Sequence, residues 1–198
     1  MTTTTSPHPL SVAVVTGSTR PNRRSLRVAE WFVGLAAEAL AGRADVALLD
    51  IADFDLPLLD EPTAAAVGEY TRDHTLRWAD AVAEFDAFVF VTPEYNHSMP
   101  AALKNAIDFL FAEWTDKAAG LVGYGLDGGV RAVEHLRLTL AEVKVACVRS
   151  SVPLSLSGDF DGDAVVPSPR ARAICDRMLD ELIDWATALR SLRTESVS

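Results

Sequence analysis

Residues 86–92 read DAFVFVT, and between Asp86 and Thr92 every side chain is apolar. A strand with one wet face alternates polar and apolar residues; a run without that alternation is buried on both faces. Residues 10–16 (LSVAVVT) and 118–124 (AAGLVGY) have the same character. Strands of this kind need layers above and below them, and the chain supplies helical patterns between them. Leu26, Ala29, Phe32, Val33, Ala36, Ala37 and Leu40 recur at helical spacing over residues 25–40, and Gly42 is placed to end that helix. The alternation predicts an α/β fold: a doubly wound, five-stranded parallel sheet with helices on both faces and right-handed crossovers.

The remaining elements follow the same rhythm. Residues 46–51 (VALLDI) read as the second strand, and 53–62 as an Asp- and Pro-rich loop whose leucines fold it back on the body. Leu76, Ala79, Val82, Ala83 and Phe85 mark a second helix. Pro100 opens a third, with Leu103, Ile107, Leu110 and Phe111 as its inner stripe. Val133, Leu136, Leu140 and Val143 mark a fourth, and residues 145–148 a short fifth strand. Residues 158–169 are the most linker-like stretch, and one helix follows over 171–189. No internal repeat or second domain is evident, so residues 10–190 read as one domain between tails at 1–9 and 191–198.

Composition narrows the function classes. The 198 residues are 49% hydrophobic and 23% charged, which excludes extensive disorder. A net charge of −10 gives no overall attraction to nucleic acid or to an anionic membrane, and no apolar run reaches the roughly 20 residues of a spanning helix. The opening MTTTTSPHP lacks the regions of a signal peptide. Cys147 and Cys175 are the only cysteines, too few for a disulfide framework or a metal cluster, and they fit a reducing cytoplasm.

In such sheets ligands bind beyond the carboxyl ends of the strands. Three strand ends carry unusual loops. After the first strand comes GSTRPNRRS (17–25), with Ser18, Arg20, Arg23, Arg24 and Ser25 ahead of a helix start. Helix-start N–H groups and arginine forks make an anion site suited to phosphate; a capped helix with solvated arginines is the plainer alternative. The loop is neither GxGxxG nor GxxxxGK[ST]. After the third strand, Pro93, Glu94, Tyr95, Asn96, His97, Ser98 and Met99 precede Pro100, a stiff polar and aromatic segment able to present backbone groups to a planar ring. Ser98 is expected to cap the following helix. After the fourth strand, Tyr124, Gly125, Gly128 and Gly129 allow close backbone approach or positive φ. All three loops are expected on one sheet edge.

Other chemistries find little support. His97 has no partner at metal-ligand spacing, and no GxSxG elbow occurs. Asp159, Asp161 and Asp163 superficially suggest a calcium loop but lack its closing glutamate, so a solvated turn is expected. Lys104 and Asp108 form a surface pair. Trp31, Trp78, Trp114 and Trp185 serve packing or an interface.

The motifs GSTRPNR (17–23), DLPLLDEP (55–62), TPEYNHSMPAALKNAID (92–108) and GYGLDGGVRAVEHLR (123–137) resemble, in order and spacing, the NADPH-dependent FMN reductases of the flavodoxin-like superfamily. The resemblance runs from about Val12 to about Arg149. It implies a flavodoxin-like domain, bound FMN, NADPH or NADH as co-substrate, and a homodimer or tetramer. It further implies that Ser18, Arg20, Arg23 and Ser25 cradle the FMN phosphate. Pro93, Glu94, Tyr95 and Asn96 would line one flank of the ring, with Tyr124, Gly125, Gly128 and Gly129 on the other. His97 stands where glycine is common in the family. No side chain need act as acid or base, because flavin carries the hydride step. The acceptor would be a small molecule: free flavin, a quinone, an azo or nitro compound, or an oxidised metal. A non-enzymatic flavodoxin-like carrier or flavin-sensing module is the alternative, and the arginine cluster argues against the carrier.

Overall fold

Apolar runs that cannot tolerate water on either side form the centre of the molecule. The computed structural model describes residues 9–195, so most of the expected N-terminal tail, residues 1–8, lies outside the described residues. Strands β1 (Leu10–Thr16), β2 (Ala44–Asp50), β3 (Ala87–Pro93), β4 (Lys117–Gly125) and β5 (Val145–Ser155) form one sheet in the order β2-β1-β3-β4-β5, every neighbouring pair parallel. All seven residues of β3 are buried. This is the flavodoxin-like order, with the switch in strand sequence between β1 and β3.

Helices cover both faces. Helices α1 (Arg24–Ala39) and α5 (Pro169–Glu195) enclose one apolar layer, in which Val12, Val14, Val89 and Val91 meet Phe32, Met178 and Leu182. Helices α2 (Asp73–Ala83), α3 (Ala101–Asp108) and α4 (Val130–Glu142) enclose the other, where Val15, Phe88 and Phe90 meet Trp78, Trp114 and Leu136. Trp78 and Trp114 are fully buried and donate their indole N–H groups to the carbonyls of Ala106 (2.8 Å) and Ile107 (3.2 Å). Trp185 is half exposed.

Several boundaries differ from the sequence reading, each for a local reason. β5 is not a four-residue strand: it runs to Ser155, crossing an irregularity where pairing passes from Ala119/Cys147 to Leu121/Ser151. The polar residues Arg149, Ser150 and Ser151 sit at that irregularity and disguised the continuation. α3 ends at Asp108, so Leu110 is buried from the turn beyond the helix rather than from its stripe. The 158–169 stretch is no linker. It holds a small hairpin, β6 (Phe160–Asp161) with β7 (Ala164–Val165), around the buried Asp159. That carboxylate accepts from the N–H groups of Ser155 and Ser168, both at 2.8 Å, and is not solvated. α5 continues through residues 191–195; residues 196–198 lie outside the described residues.

Candidate functional site

The carboxyl ends of β1, β3 and β4 adjoin one another, so the three loops share one edge of the sheet. Gly17 makes the first departure possible. Its N–H donates to the Val91 carbonyl at 2.7 Å, and a Cβ there would stand 2.6 Å from that same oxygen. The chain then turns through Asn22, at φ 55°, into α1. α1 begins with no side-chain cap and no acidic residue in its first turn. Its leading N–H groups are therefore free to meet an anion.

Two anchors hold this loop. Thr16 Oγ1 donates to Asp50 at 2.6 Å, and the Arg23 guanidinium pairs with the other oxygen of the same carboxylate. Thr16 and Asp50 are register partners at the ends of β1 and β2, so the sheet itself delivers the acid to the loop. Arg23 is thereby committed on one side, while its buried Nε has no hydrogen-bond partner among the described residues. Ser18 Oγ lies 3.1 Å from the Tyr95 hydroxyl, joining the first loop to the second. Ser25 is buried, its Oγ 3.5 Å from the Ser18 carbonyl.

The second loop is a tight hairpin turn. Tyr95 and Ser98 exchange backbone hydrogen bonds of 2.9 and 3.0 Å, and both central residues, Asn96 (φ 50°) and His97 (φ 67°), are left-handed, as in a type I′ turn. Ser98 does not cap α3, contrary to expectation. Pro100 occupies that N-cap position and α3 has no side-chain cap, while Ser98 Oγ meets His135 Nδ1 of α4 at 3.0 Å. The turn consumes Ser98's backbone and leaves its hydroxyl facing the neighbouring helix. Glu94 likewise reaches α4: its carboxylate accepts from the Arg131 N–H (3.1 Å) and Nε (2.5 Å).

The third loop is built for closeness. Gly129 has φ 69°, and a Cβ there would lie 2.7 Å from the Tyr124 nitrogen. Tyr124 is buried, which pushes its phenol well above the ordinary range, and the neighbouring Tyr95 adds to the effect. The Tyr124 side chain stays neutral at physiological pH.

The loops enclose a cavity of about 480 Å³, lined by Arg20, Arg23, Pro93, Glu94, Tyr95, Tyr124 and Gly125 among the expected residues. Ser18 and Ser25 stand buried behind the first loop, and Gly128 and Gly129 within the third; Asn96 lies exposed at the turn tip. Pro21, Asn22, Arg24 and Leu156 also line the cavity. Leu156 was hidden by the underestimate of β5, which carries it to the site. Asp50, Arg131 and His135 shape the loops from outside and were not among the residues expected at the site. Among the described residues there is no group of three or more His, Cys, Asp or Glu that could hold a metal ion, and no helix is long and apolar enough to cross a membrane.

Comparison with known proteins shows the family. An NAD(P)H-dependent FMN reductase of Nectria sp. is 33% identical over 155 residues, covering 75% of this chain and 77% of that protein. A quinone reductase of Pseudomonas putida is 30% identical over 190 residues, covering 92% and 97%. Among solved structures, the flavoenzyme NAD(P)H:(acceptor) oxidoreductase FerB of Paracoccus denitrificans superposes with a TM-score of 0.67 at 27% identity, covering 90% of this chain and 98% of that chain. The model of the family described as NADPH-dependent FMN reductase matches residues 10–159, and the chain belongs to that family of FMN-dependent NAD(P)H oxidoreductases.

Proposed function

We propose that the 480 Å³ cavity is the FMN site and that the enzyme works by a ping-pong cycle with a small acceptor, a quinone foremost. One observation carries this reading: an uncapped α1 start beside a buried Arg23 Nε that lacks a partner among the described residues. Both are donors awaiting an anion, as a flavin phosphate is. FMN held there would supply the two-electron redox chemistry between NAD(P)H and the acceptor. Ser18, Arg20, Arg23 and Ser25 hold the phosphate end. Pro93, Glu94, Tyr95 and Asn96 present the backbone of the β3 loop to one flank of the ring, and Tyr124, Gly125, Gly128 and Gly129 frame the other. The neutral Tyr124 places no charge of its own beside the ring, and backbone N–H groups of the glycine loop would stabilise negative charge there.

The quinone reductase among the relatives covers nearly the whole chain, which supports a quinone over the other acceptors considered. The protein acts as one flavodoxin-like domain, in the cytoplasm and as a homodimer. Exposed Leu126, Val130 and Leu138 offer the apolar surface that a second copy would cover.

The test is a flavin-fluorescence titration of the full-length chain, followed by steady-state kinetics. Arg20→Ala is expected to raise the Kd for FMN about ten- to over a hundredfold, the worth of one charge-assisted hydrogen bond. An unchanged Kd removes Arg20 from the cradle. Double-reciprocal plots of NAD(P)H against quinone should be parallel; intersecting lines overturn the ping-pong order. Turnover with a soluble quinone and no protein partner separates the reductase from a carrier.

A further inference from the structure

The β6–β7 hairpin lies beyond the residues that match the family, yet it reaches back to the start of α1. Its turn is Gly162–Asp163, with Gly162 at φ 58°. One Asp163 carboxylate oxygen stands 3.5 Å from Arg24 Nε, and the other pairs with the Arg27 guanidinium. The Arg24 guanidinium also lies over the Phe160 ring of the same hairpin, 5.6 Å from its centroid, and Phe160 approaches Tyr124 at 6.4 Å. Arg24 is the first residue of α1 and lines the cavity. The hairpin thus grips Arg24 twice, by a charge at Nε and by an aromatic face under the planar group. The ion-pair contact with Asp163 is made at Nε, the inner nitrogen of the guanidinium.

We propose that Asp163 is a positioning residue for the cofactor's phosphate: with Arg27 it holds Arg24 at the mouth of the α1 start, so that its Nη donors meet the phosphate already ordered. This rests on the reading of the cavity as the FMN site. The Asp163 side chain is 58% exposed, so the ion pair itself adds little to the stability of the fold. Its effect falls on binding. A long side chain that is ordered before the ligand arrives loses less freedom on binding, and that saving appears only for a ligand that touches it. Riboflavin, which has the same ring and no phosphate, does not.

The experiment titrates the full-length chain with FMN and with riboflavin by fluorescence, for the natural sequence and for Asp163→Asn, Asp163→Glu, Arg27→Gln and Asp161→Asn. The natural sequence is expected to bind FMN at least about tenfold more tightly than riboflavin. Asp163→Asn should weaken FMN about three- to tenfold and leave riboflavin unchanged. Arg27→Gln should repeat that selective loss from the other side of the pair. Asp163→Glu should recover most of it, and Asp161→Asn, two residues away at the end of β6, should do nothing. Three results overturn the proposal. An equal loss for both flavins assigns Asp163 a structural role. Unchanged or tighter FMN binding in Asp163→Asn makes the carboxylate irrelevant, or a competitor for Arg24. Equal binding of FMN and riboflavin by the natural sequence removes the phosphate cradle, and Asp163's role with it. The second result leaves the FMN site standing, so the two failures are distinguishable.

Discussion

His97 occupies a backbone conformation that suits glycine. At φ 67° its Cβ crowds the adjacent carbonyl, a cost of about 1–2 kcal/mol that Asn96 beside it bears more easily. Glycine would relieve that crowding but add freedom to the unfolded chain, worth about 0.4–1 kcal/mol in the other direction. His97→Gly is therefore expected to stabilise the protein by about 0.5–1 kcal/mol, read as a higher denaturant midpoint at unchanged slope. A lower midpoint would show that the imidazole makes a compensating contact. The histidine is exposed at the tip of its loop. Residue types at the site were legible in the sequence, but their partners were not. Arg20, Arg23 and Arg24 looked like one cluster of equal charges. In the fold Arg23 is taken by Asp50 and Arg24 by Asp163, while Arg20 has no ion-pair partner among the described residues. Asp50 and Asp163 are 27 and 139 positions from their arginines, and no local pattern connects them.

At the scale of elements, α4 is held from outside itself. Gly129 supplies no side-chain cap, and Glu94, from the loop after β3, accepts from the N–H at the helix's second residue instead. A carboxylate there satisfies a donor and complements the positive end of the helix. Glu94→Gln keeps the shape and removes the charge, so it should cost about 1 kcal/mol in denaturant unfolding. A double-mutant cycle with Arg131→Ala isolates the side-chain part of the link, and a coupling near zero would show that the two groups act independently. The same link explains where the sequence reading worked and where it failed. Periodicity located every helix and strand of the main sheet, because burial on one face or two leaves a repeating trace. It placed the end of β5 seven residues early and read the β6–β7 hairpin as a linker. Those segments are held by single polar residues, Ser150 on Glu181 and Asp159 on Ser155 and Ser168, which leave no period to detect.

At the scale of the whole molecule, the edge opposite the site is fastened by charge. Asp86 accepts from Arg190 at 2.6 and 3.2 Å and from Arg193 at 2.5 Å, while its neighbour on β1, Ser11, adds an N–H at 3.0 Å. This clasp ties the end of α5 to the amino ends of β1 and β3. Burial alone would raise the Asp86 carboxyl, but the hydrogen bonds from Arg190 and Ser11 and the charges of both arginines overcome it and hold the group below the usual carboxylate range. A depressed folded-state pKa means stability that is present above the unfolded value near 4 and is lost as pH falls through the folded one. Asp86→Asn is expected to cost about 1–3 kcal/mol at pH 7, and its gap to the natural sequence should close as pH drops from about 4 toward 2. A gap that persists at pH 2 would assign the loss to packing rather than charge. The opposite edge has a different dependence. Its cavity takes walls from residue 20 to residue 156, contributed by the ends of four strands that meet only when the sheet is complete. A partly folded chain has no such cavity, so on the proposed reading of that cavity FMN binds the native state alone, and at a hundredfold excess over its Kd is expected to add about 2.7 kcal/mol to the free energy of unfolding. Apo-protein and FMN-saturated protein should therefore differ by that amount, read as a shift in denaturant midpoint, and equal midpoints would show that the cofactor does not depend on the completed sheet.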